Sequence, residues 1–161
     1  MPVSKDDFRQ AWGKFPTGVS IVTSHLENGA PYCTTANAVC SVSLEPLLVM
    51  LSITRPGTTH ANILREGRFG LNFLAEGQSA MAIQYADNKG NEIRDIAGKH
   101  HITPVGTTLL DDALASMDCR VVQQHDAGDH TLFIAEVEHL ETQPGAPLVF
   151  HEGHYTTVNG E

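Results

Sequence analysis

A chain of 161 residues that is 41% hydrophobic, with no internal repeat or low-complexity tract, carries enough apolar material for one globular domain with a full core, spanning residues 1–161. Its 19 acidic and 10 basic residues give a formal charge of -9 with no Lys/Arg block, which excludes a broad nucleic-acid footprint and leaves any anionic ligand dependent on local positive potential. The longest apolar runs, such as PLLVML, fall far short of a membrane span and the N-terminus opens polar and charged, so the chain reads as soluble and cytoplasmic.

Ser4 followed by Asp7, with Phe8, Ala11, Trp12 and Phe15 recurring at helical spacing, predicts a capped amphipathic helix over residues 4–14 that Pro16 ends. Phe8 and Trp12 are expected to pack over a core or a partner. Next, GVSIVTSH alternates apolar and polar residues, and Asn28-Gly29 supplies a hairpin turn. The stretch Cys33–Pro46, CTTANAVCSVSLEP, then returns as the second strand of an antiparallel pair. Thr34, Thr35, Asn37, Ser41 and Ser43 bring donors and acceptors to it, and Ala36, Ala38 and Val39 leave room for close approach. With Glu45 as its single charge, it suits a neutral, flat, polar ligand lying against backbone, or else an ordinary Thr/Ser-rich strand with one solvated face.

Pro46 to Thr54 is a nearly continuous apolar run, read as a buried strand deep in the sheet. Arg55-Pro56-Gly57 breaks it, and Thr58 or Thr59 caps a short helix through Glu66, with Gly67 marking its end. RFGLNFLA is a further strand. A second surface helix is expected over Gly77–Asp87 from the spacing of Met81, Ala82 and Tyr85, followed by a long polar excursion over Asn88–Thr108. From Leu114 the pattern returns to short strands, CRVVQQHD, HTLFIAEVEHLE, PLVFHEG and HYTTV, with a turn at Ala127-Gly128. Many strands with few helices favour a barrel over a layered α/β sheet.

Cys33, Cys40 and Cys119 are odd in number and lack CxxC spacing, which argues against a disulfide framework or a zinc knuckle and for free thiols, buried or half-buried. Histidines at 100, 101, 125, 151 and 154 invite a metal reading. The HxxH of His151–His154 is broken by Gly153 between short strands, however, so no metal site is expected. There is no GxSxG elbow, no cysteine beside an identifiable base and no Rossmann glycine fingerprint.

Taken together, FPTGVSIVTS, TTANAVCSVSLEP, RFGLNFL, ALASMDC, the GDH of Gly128–His130 and APLVFHEGHY resemble, in order and over nearly the whole chain, the short-chain flavin reductases of the FMN-binding split-barrel fold. The resemblance implies a homodimeric, mainly β protein built on a six-stranded antiparallel split barrel with a few peripheral helices. It implies binding of FMN or FAD, their reduction by NADH or NADPH, and delivery of reduced flavin to a partner monooxygenase. Hydride transfer between two cofactor rings needs binding and orientation from the protein, not a nucleophile-base pair, which agrees with the motifs lacking here.

By that resemblance Thr34, Thr35, Ala36 and Asn37 line the flavin ring edge and ribityl chain, and Ser41, Val42, Ser43 and Leu44 add side-chain and backbone groups. Arg55, Thr58 and Thr59 are expected at the phosphate, where a guanidinium and a helix N-terminus supply positive potential. Asn72, Phe73 and Tyr155 are expected near the flavin. Gly128, Asp129 and His130 serve the nicotinamide, with His130 as the residue of catalytic effect, through orientation more than proton transfer. Two positions depart from the family pattern: Ala135 stands where a glycine is usual, and Gly90–Thr107 lacks an aromatic. The competing readings are a tight FMN-binding electron carrier that does not turn over free nicotinamide, and a non-redox binding protein on the same fold.

Overall fold

The computed structural model describes residues 1–86, 96 and 98–159. Helix α1 (Lys5–Gly13) starts at a capping box in which the Ser4 hydroxyl accepts from the Asp7 N–H and the Asp7 carboxylate accepts from the Ser4 N–H. None of its residues is buried, and Phe8, Trp12 and Phe15 are exposed, Phe8 stacked on Trp12. Of the two coverings expected for this aromatic face, a core or a partner, the chain's own core does not supply one.

Strands β1 (Thr17–Gly18) and β2 (Ser20–His25) follow, and a turn with Gly29 at φ 82° leads into β3 (Pro31–Ala36), antiparallel to β2. The stretch read as one strand from Cys33 to Pro46 is two. It breaks at Asn37-Ala38, and its second half forms β4 (Val39–Leu44), which pairs with β5 (Leu47–Thr54). Then come α2 (Thr58–Glu66), β6 (Arg68–Phe73), a 3-10 turn and α3 (Ser79–Ala86), the hairpin β7 (His100–Ile102) and β8 (Thr108–Leu110), and two 13-residue strands, β9 (Ala115–Ala127) and β10 (His130–Thr142). Strands β11 (Leu148–His151) and β12 (His154–Thr157) close the chain.

Among the described residues the main sheet holds seven strands, not six, all antiparallel, in the order β3-β2-β6-β9-β10-β5-β4. A three-stranded sheet, β1-β11-β12, and the β7-β8 hairpin flank it. The two edge strands of the seven are consecutive in the chain, joined only by Asn37 and Ala38. Three chain steps span at most about 11 Å, whereas seven flat strands would be about 29 Å wide. The sheet must therefore curl until its edges approach at Asn37-Ala38.

Curling places core on both sides of β2. Ile21 packs with Val19, Leu74, Ala82, Tyr85, Leu110 and Leu148, while its neighbour Val22 packs with Leu51, Ile63, Phe69, Leu71, Cys119 and Phe133. Ser20, Thr23 and Ser24 of β2 are buried too, and bonded: Ser20 Oγ donates to the Ala36 carbonyl at 2.6 Å and Thr23 Oγ1 to that of Thr108 at 2.5 Å. In β5 only Leu51 and Ile53 are buried and Leu47 is exposed, so the continuous apolar run is a strand with one covered face and not one deep in the sheet.

Helix α3 is the expected surface helix, burying Ala82 and Tyr85 while Ala80, Ile83, Gln84 and Ala86 stay exposed; the expected last residue, Asp87, lies outside the described residues. So does the first part of the expected polar excursion, over 88–95 and at 97. Its second part is structured as β7-β8, with Thr107, Thr108, Leu109 and Leu110 buried. Cys33 and Cys119 are buried, and burial pushes both thiols up to about 12, while Cys40 on the edge strand β4 is exposed. Ala135 is wholly buried among the residues that surround Phe133, beside an irregularity in the β9-β10 ladder.

Candidate functional site

A cavity of about 430 Å³ opens between the end of β3, the end of β5, the N-terminus of α2 and the start of β10. Thr34, Thr35, Ala36 and Asn37 form one wall, Ser52 and Thr54 another, Gly57 to His60 the floor, and His130 stands at the far side. These pieces lie far apart in sequence, and ladder register brings them together. Strand β10 pairs with β5 so that His130 lies opposite Thr54 and Thr131 opposite Ile53.

The floor is a helix start. The cap residue of α2 is Gly57, with no side-chain cap hydrogen bond, so Thr58 and Thr59 occupy its first turn instead of capping it as expected. The first N–H groups of a helix lack intrahelical partners and carry the positive end of its dipole. Gly67, at φ 67°, ends α2 as expected. The Thr34 and Thr59 hydroxyls are hydrogen-bonded across the cavity, and Thr35 Oγ1 donates to the Ala82 carbonyl at 2.7 Å, tying this wall to α3.

At the far side, His130 Nδ1 lies 2.7 Å from the Asp129 carboxylate and Nε2 3.2 Å from Thr54 Oγ1. A carboxylate only accepts, so Nδ1–H donates to it, and in the neutral ring Nε2 accepts from Thr54. The hydrogen bond from His130, reinforced by its charge, holds the Asp129 carboxyl below the usual carboxylate range. A second imidazole shares the cavity. His60 Nε2 is 2.9 Å from the buried Thr131 hydroxyl and its ring tilts against Phe133. Burial, then the charge of Arg55, lowers its pKa, so the ring is neutral at pH 7.

Of the residues singled out in sequence, Thr34, Thr35, Ala36, Asn37, Thr58, Thr59 and His130 meet at this cavity. Asp129 and Gly128, the latter at φ 62°, form the tip of the β9-β10 hairpin that carries His130. Tyr155 lies behind the β3 wall, lining a smaller cavity with Thr35, Ala36, Asn37 and Phe150 and packing on Phe150 at 5.3 Å. Other expected residues stand elsewhere. Ser41, Val42, Ser43 and Leu44 lie on the edge strand β4, mostly exposed, and line none of this cavity. Asn72 is fully buried and bonded at both ends of its amide, donating to the Ile21 carbonyl at 3.0 Å and accepting from the Leu110 N–H at 2.9 Å, so it serves the core. Phe73 packs beside that core.

Arg55 is not a wall residue. Its guanidinium turns to the hairpin, donating to the Gly128 carbonyl at 2.6 Å and pairing with Asp126 at 3.0 Å. Thr54, Ser52 and His60 are cavity residues that sequence reasoning passed over. His60 directly follows the phosphate candidates Thr58 and Thr59 and was within reach, but Thr54 and Ser52 enter only through strand register, which no local pattern reveals.

The cavity thus joins a hydroxyl-rich wall, a helix N-terminus and an imidazole on one fold, and comparison with known proteins gives the same answer. The NADH-dependent FMN reductase AsuE2 of Streptomyces nodosus subsp. asukaensis is 37% identical over 163 residues, covering 96% of this chain and 85% of that one. The reductase component of the 4-nitrophenol 4-monooxygenase/4-nitrocatechol 2-monooxygenase of Rhodococcus opacus is 34% identical over 96% of this chain and 81% of its own. The solved flavin reductase PheA2 superposes with a TM-score of 0.87 at 36% identity, over 97% of this chain and 99% of that chain. With residues 12–159 also matching the model of the flavin reductase like domain, this chain belongs to the flavin reductase family.

Proposed function

We propose that the chain, as one domain over residues 1–161, is an NAD(P)H-dependent flavin reductase that reduces FMN or FAD and supplies the product to a partner monooxygenase. The observation that carries this reading is the meeting of Thr34–Asn37, the α2 N-terminus and His130 around one cavity. Its size falls within the ordinary range for small-molecule sites. The donor set fits a flavin: hydroxyls and backbone groups of β3 suit ring edge and ribityl oxygens, and the helix start at Thr58 and Thr59 suits a phosphate. Bound flavin supplies the hydride acceptor and reduced nicotinamide the donor.

The chain's own residues bind, align and exclude water. The Thr34 and Thr59 hydroxyls, linked to each other, present a fixed pair of donors and acceptors. Gly57 leaves the first turn of α2 unshielded by any side chain. The bond to Asp129 sets the tautomer of His130 and aims its ring, and exchange of the Thr54 partner for the carboxamide N–H, which donates to Nε2, seats the nicotinamide. Neutral His60 adds a polar group without charge beside the uncharged rings.

Three finer points belong to the same reading. The curled sheet is a split barrel, whose closure the two-residue link between its edge strands supports. The exposed aromatics of α1 and the exposed Leu44 and Leu47 support a homodimer, which could bring β4 with Ser41, Val42, Ser43 and Leu44 near a flavin. The place of action is the cytoplasm; among the described residues no helix is long and apolar enough to cross a membrane.

Anaerobic mixing with excess FMN or FAD and NADH or NADPH tests the activity. Continuous bleaching of excess flavin is expected; reduction that stops at one equivalent would instead mark an electron carrier. His130→Ala is expected to raise KM for the nicotinamide about three- to tenfold, the cost of one lost hydrogen bond. Unchanged constants would remove His130 from the site.

A further inference from the structure

We propose that Arg55 is a positioning residue, whose guanidinium fastens the tip of the β9-β10 hairpin and so fixes the Asp129–His130 pair at the cavity, and that it is not a ligand of the flavin phosphate. The inference rests on the assignment of His130 to the nicotinamide made above.

The ladder between β5 and β10 ends at the Thr54–His130 pair, and Arg55 is the next residue along. Three bonds run from it to the tip. Its backbone N–H donates to the Asp129 carbonyl at 2.7 Å, one terminal nitrogen donates to the Gly128 carbonyl at 2.6 Å, and the other pairs with Asp126 at 3.0 Å. They reach three residues of the four that precede His130.

The tip has little else to hold it. The side chains of Asp126 and Asp129 are 78% and 85% exposed, and Gly128 has none. An exposed two-stranded ribbon end is marginal without outside contacts. Both terminal nitrogens of Arg55 bond the hairpin, and its Nε is buried without a hydrogen-bond partner among the described residues. The guanidinium is thus held against the hairpin, and only the second N–H of each terminal nitrogen is left for any other acceptor. Thr54 and Pro56, on either side of it, line the cavity, and Arg55 does not.

A partly exposed pair of this kind adds little to global stability, so its removal should move the hairpin and leave the fold. A lysine, with one compact ammonium, cannot reproduce the fork that spans Asp126 and Gly128.

The test compares Arg55→Gln, Arg55→Lys, Asp126→Asn and the Arg55→Gln/Asp126→Asn double variant in the full chain. It measures NADH steady-state constants, binding of FMN and of riboflavin, and hydrogen exchange of the Gly128–His130 amides. Arg55→Gln is expected to raise KM for NADH about three- to tenfold with kcat changed far less. FMN affinity should change less than about twofold and the FMN-to-riboflavin affinity ratio should stay the same, while the tip amides exchange faster. Asp126→Asn should act in the same direction more weakly, add nothing to Arg55→Gln, and Arg55→Lys should recover part of the loss.

The proposal is overturned if Arg55→Gln weakens FMN about tenfold or more while sparing riboflavin, which has no phosphate, or if tip exchange and KM both stay put. If His130→Ala leaves the NADH constants unchanged while tip exchange in Arg55→Gln still accelerates, the clamp stands and the assignment of His130 to the nicotinamide falls. Faster tip exchange with unchanged NADH constants in Arg55→Gln, where His130→Ala does raise KM, overturns the positioning role.

Discussion

Two histidines, His60 and His101, carry opposite electrostatics. His60 is held below the ordinary 6.5 by burial first and by the Arg55 charge second, with Asp126 opposing. His101 is raised above it, chiefly by its 2.5 Å hydrogen bond to Asp111, with burial opposing and Glu141 and Asp111 adding attraction. For His60 the unfolded chain binds more protons over the shifted window, so its contribution to stability is present above about 6.5 and is lost as pH falls through the folded-state value. For His101 the sign reverses, and the contribution is full below about 6.5 and lost as pH rises through the folded-state value. Ring-proton titration by NMR is expected to place the His60 midpoint below 6.5 and the His101 midpoint above it. His101→Gln should make the protein relatively less stable at mildly acidic pH than at pH 8, and an unchanged pH profile would contradict the assignment. Thr34–Asn37, Thr58, Thr59 and His130 meet at one cavity, and it was the family resemblance that singled them out, since by type alone Thr34–Asn37 read equally as a polar strand face and His130 as a structural histidine. Asn72 misled because a strand asparagine looks the same from sequence whether it faces a ligand or the Leu110 backbone.

Central strand β6 is held on both sides, by β2 and by β9, and is crossed by the β7-β8 hairpin. A Cβ on Gly70 would come within 2.5 Å of the Thr108 carbonyl and collide with Thr23 Oγ1, atoms already bonded to each other. Gly70→Ala is therefore expected to cost about 1–3 kcal/mol, as overpacking does, read as a lower urea midpoint at unchanged slope. A midpoint equal to that of the parent protein would show that the hairpin can back away. The same hairpin is anchored at its turn, where the buried Asp118 carboxylate accepts from Thr103 at 3.0 Å and Thr107 at 2.8 Å and pairs with Arg68 at 3.2 Å. Helix α1, α2 with its end at Gly67, β6 and the long β9-β10 hairpin were readable from capping residues, periodicity and turn glycines, although the cap of α2 is Gly57 and not a threonine. The division of Cys33–Pro46 into β3 and β4 was not, because Thr-Thr-Ala-Asn-Ala-Val carries no proline or glycine. The break follows from the sheet's need to turn a corner there.

A molecule of formal charge -9 must bind anionic cofactors against its own long-range field. Raising ionic strength from about 20 to about 200 mM shortens the Debye length severalfold and is expected to lower KM for NADH by roughly twofold. No response would mean that the local field of the α2 N-terminus already dominates at the cavity. Composition and local pattern determined a single, mainly β domain without nucleophile motifs, because they record which residues must be buried and which turns the backbone can make. The flavin reductase reading came from the resemblance of six ordered segments to a known family. What only the tertiary structure decided is how distant pieces meet: that the two halves of Cys33–Pro46 lie on opposite edges of one curled sheet, that Thr54 faces His130, and that Arg55 grips the hairpin tip. Register and closure are set by the summed packing of the whole sheet on two cores, and no single segment carries that sum.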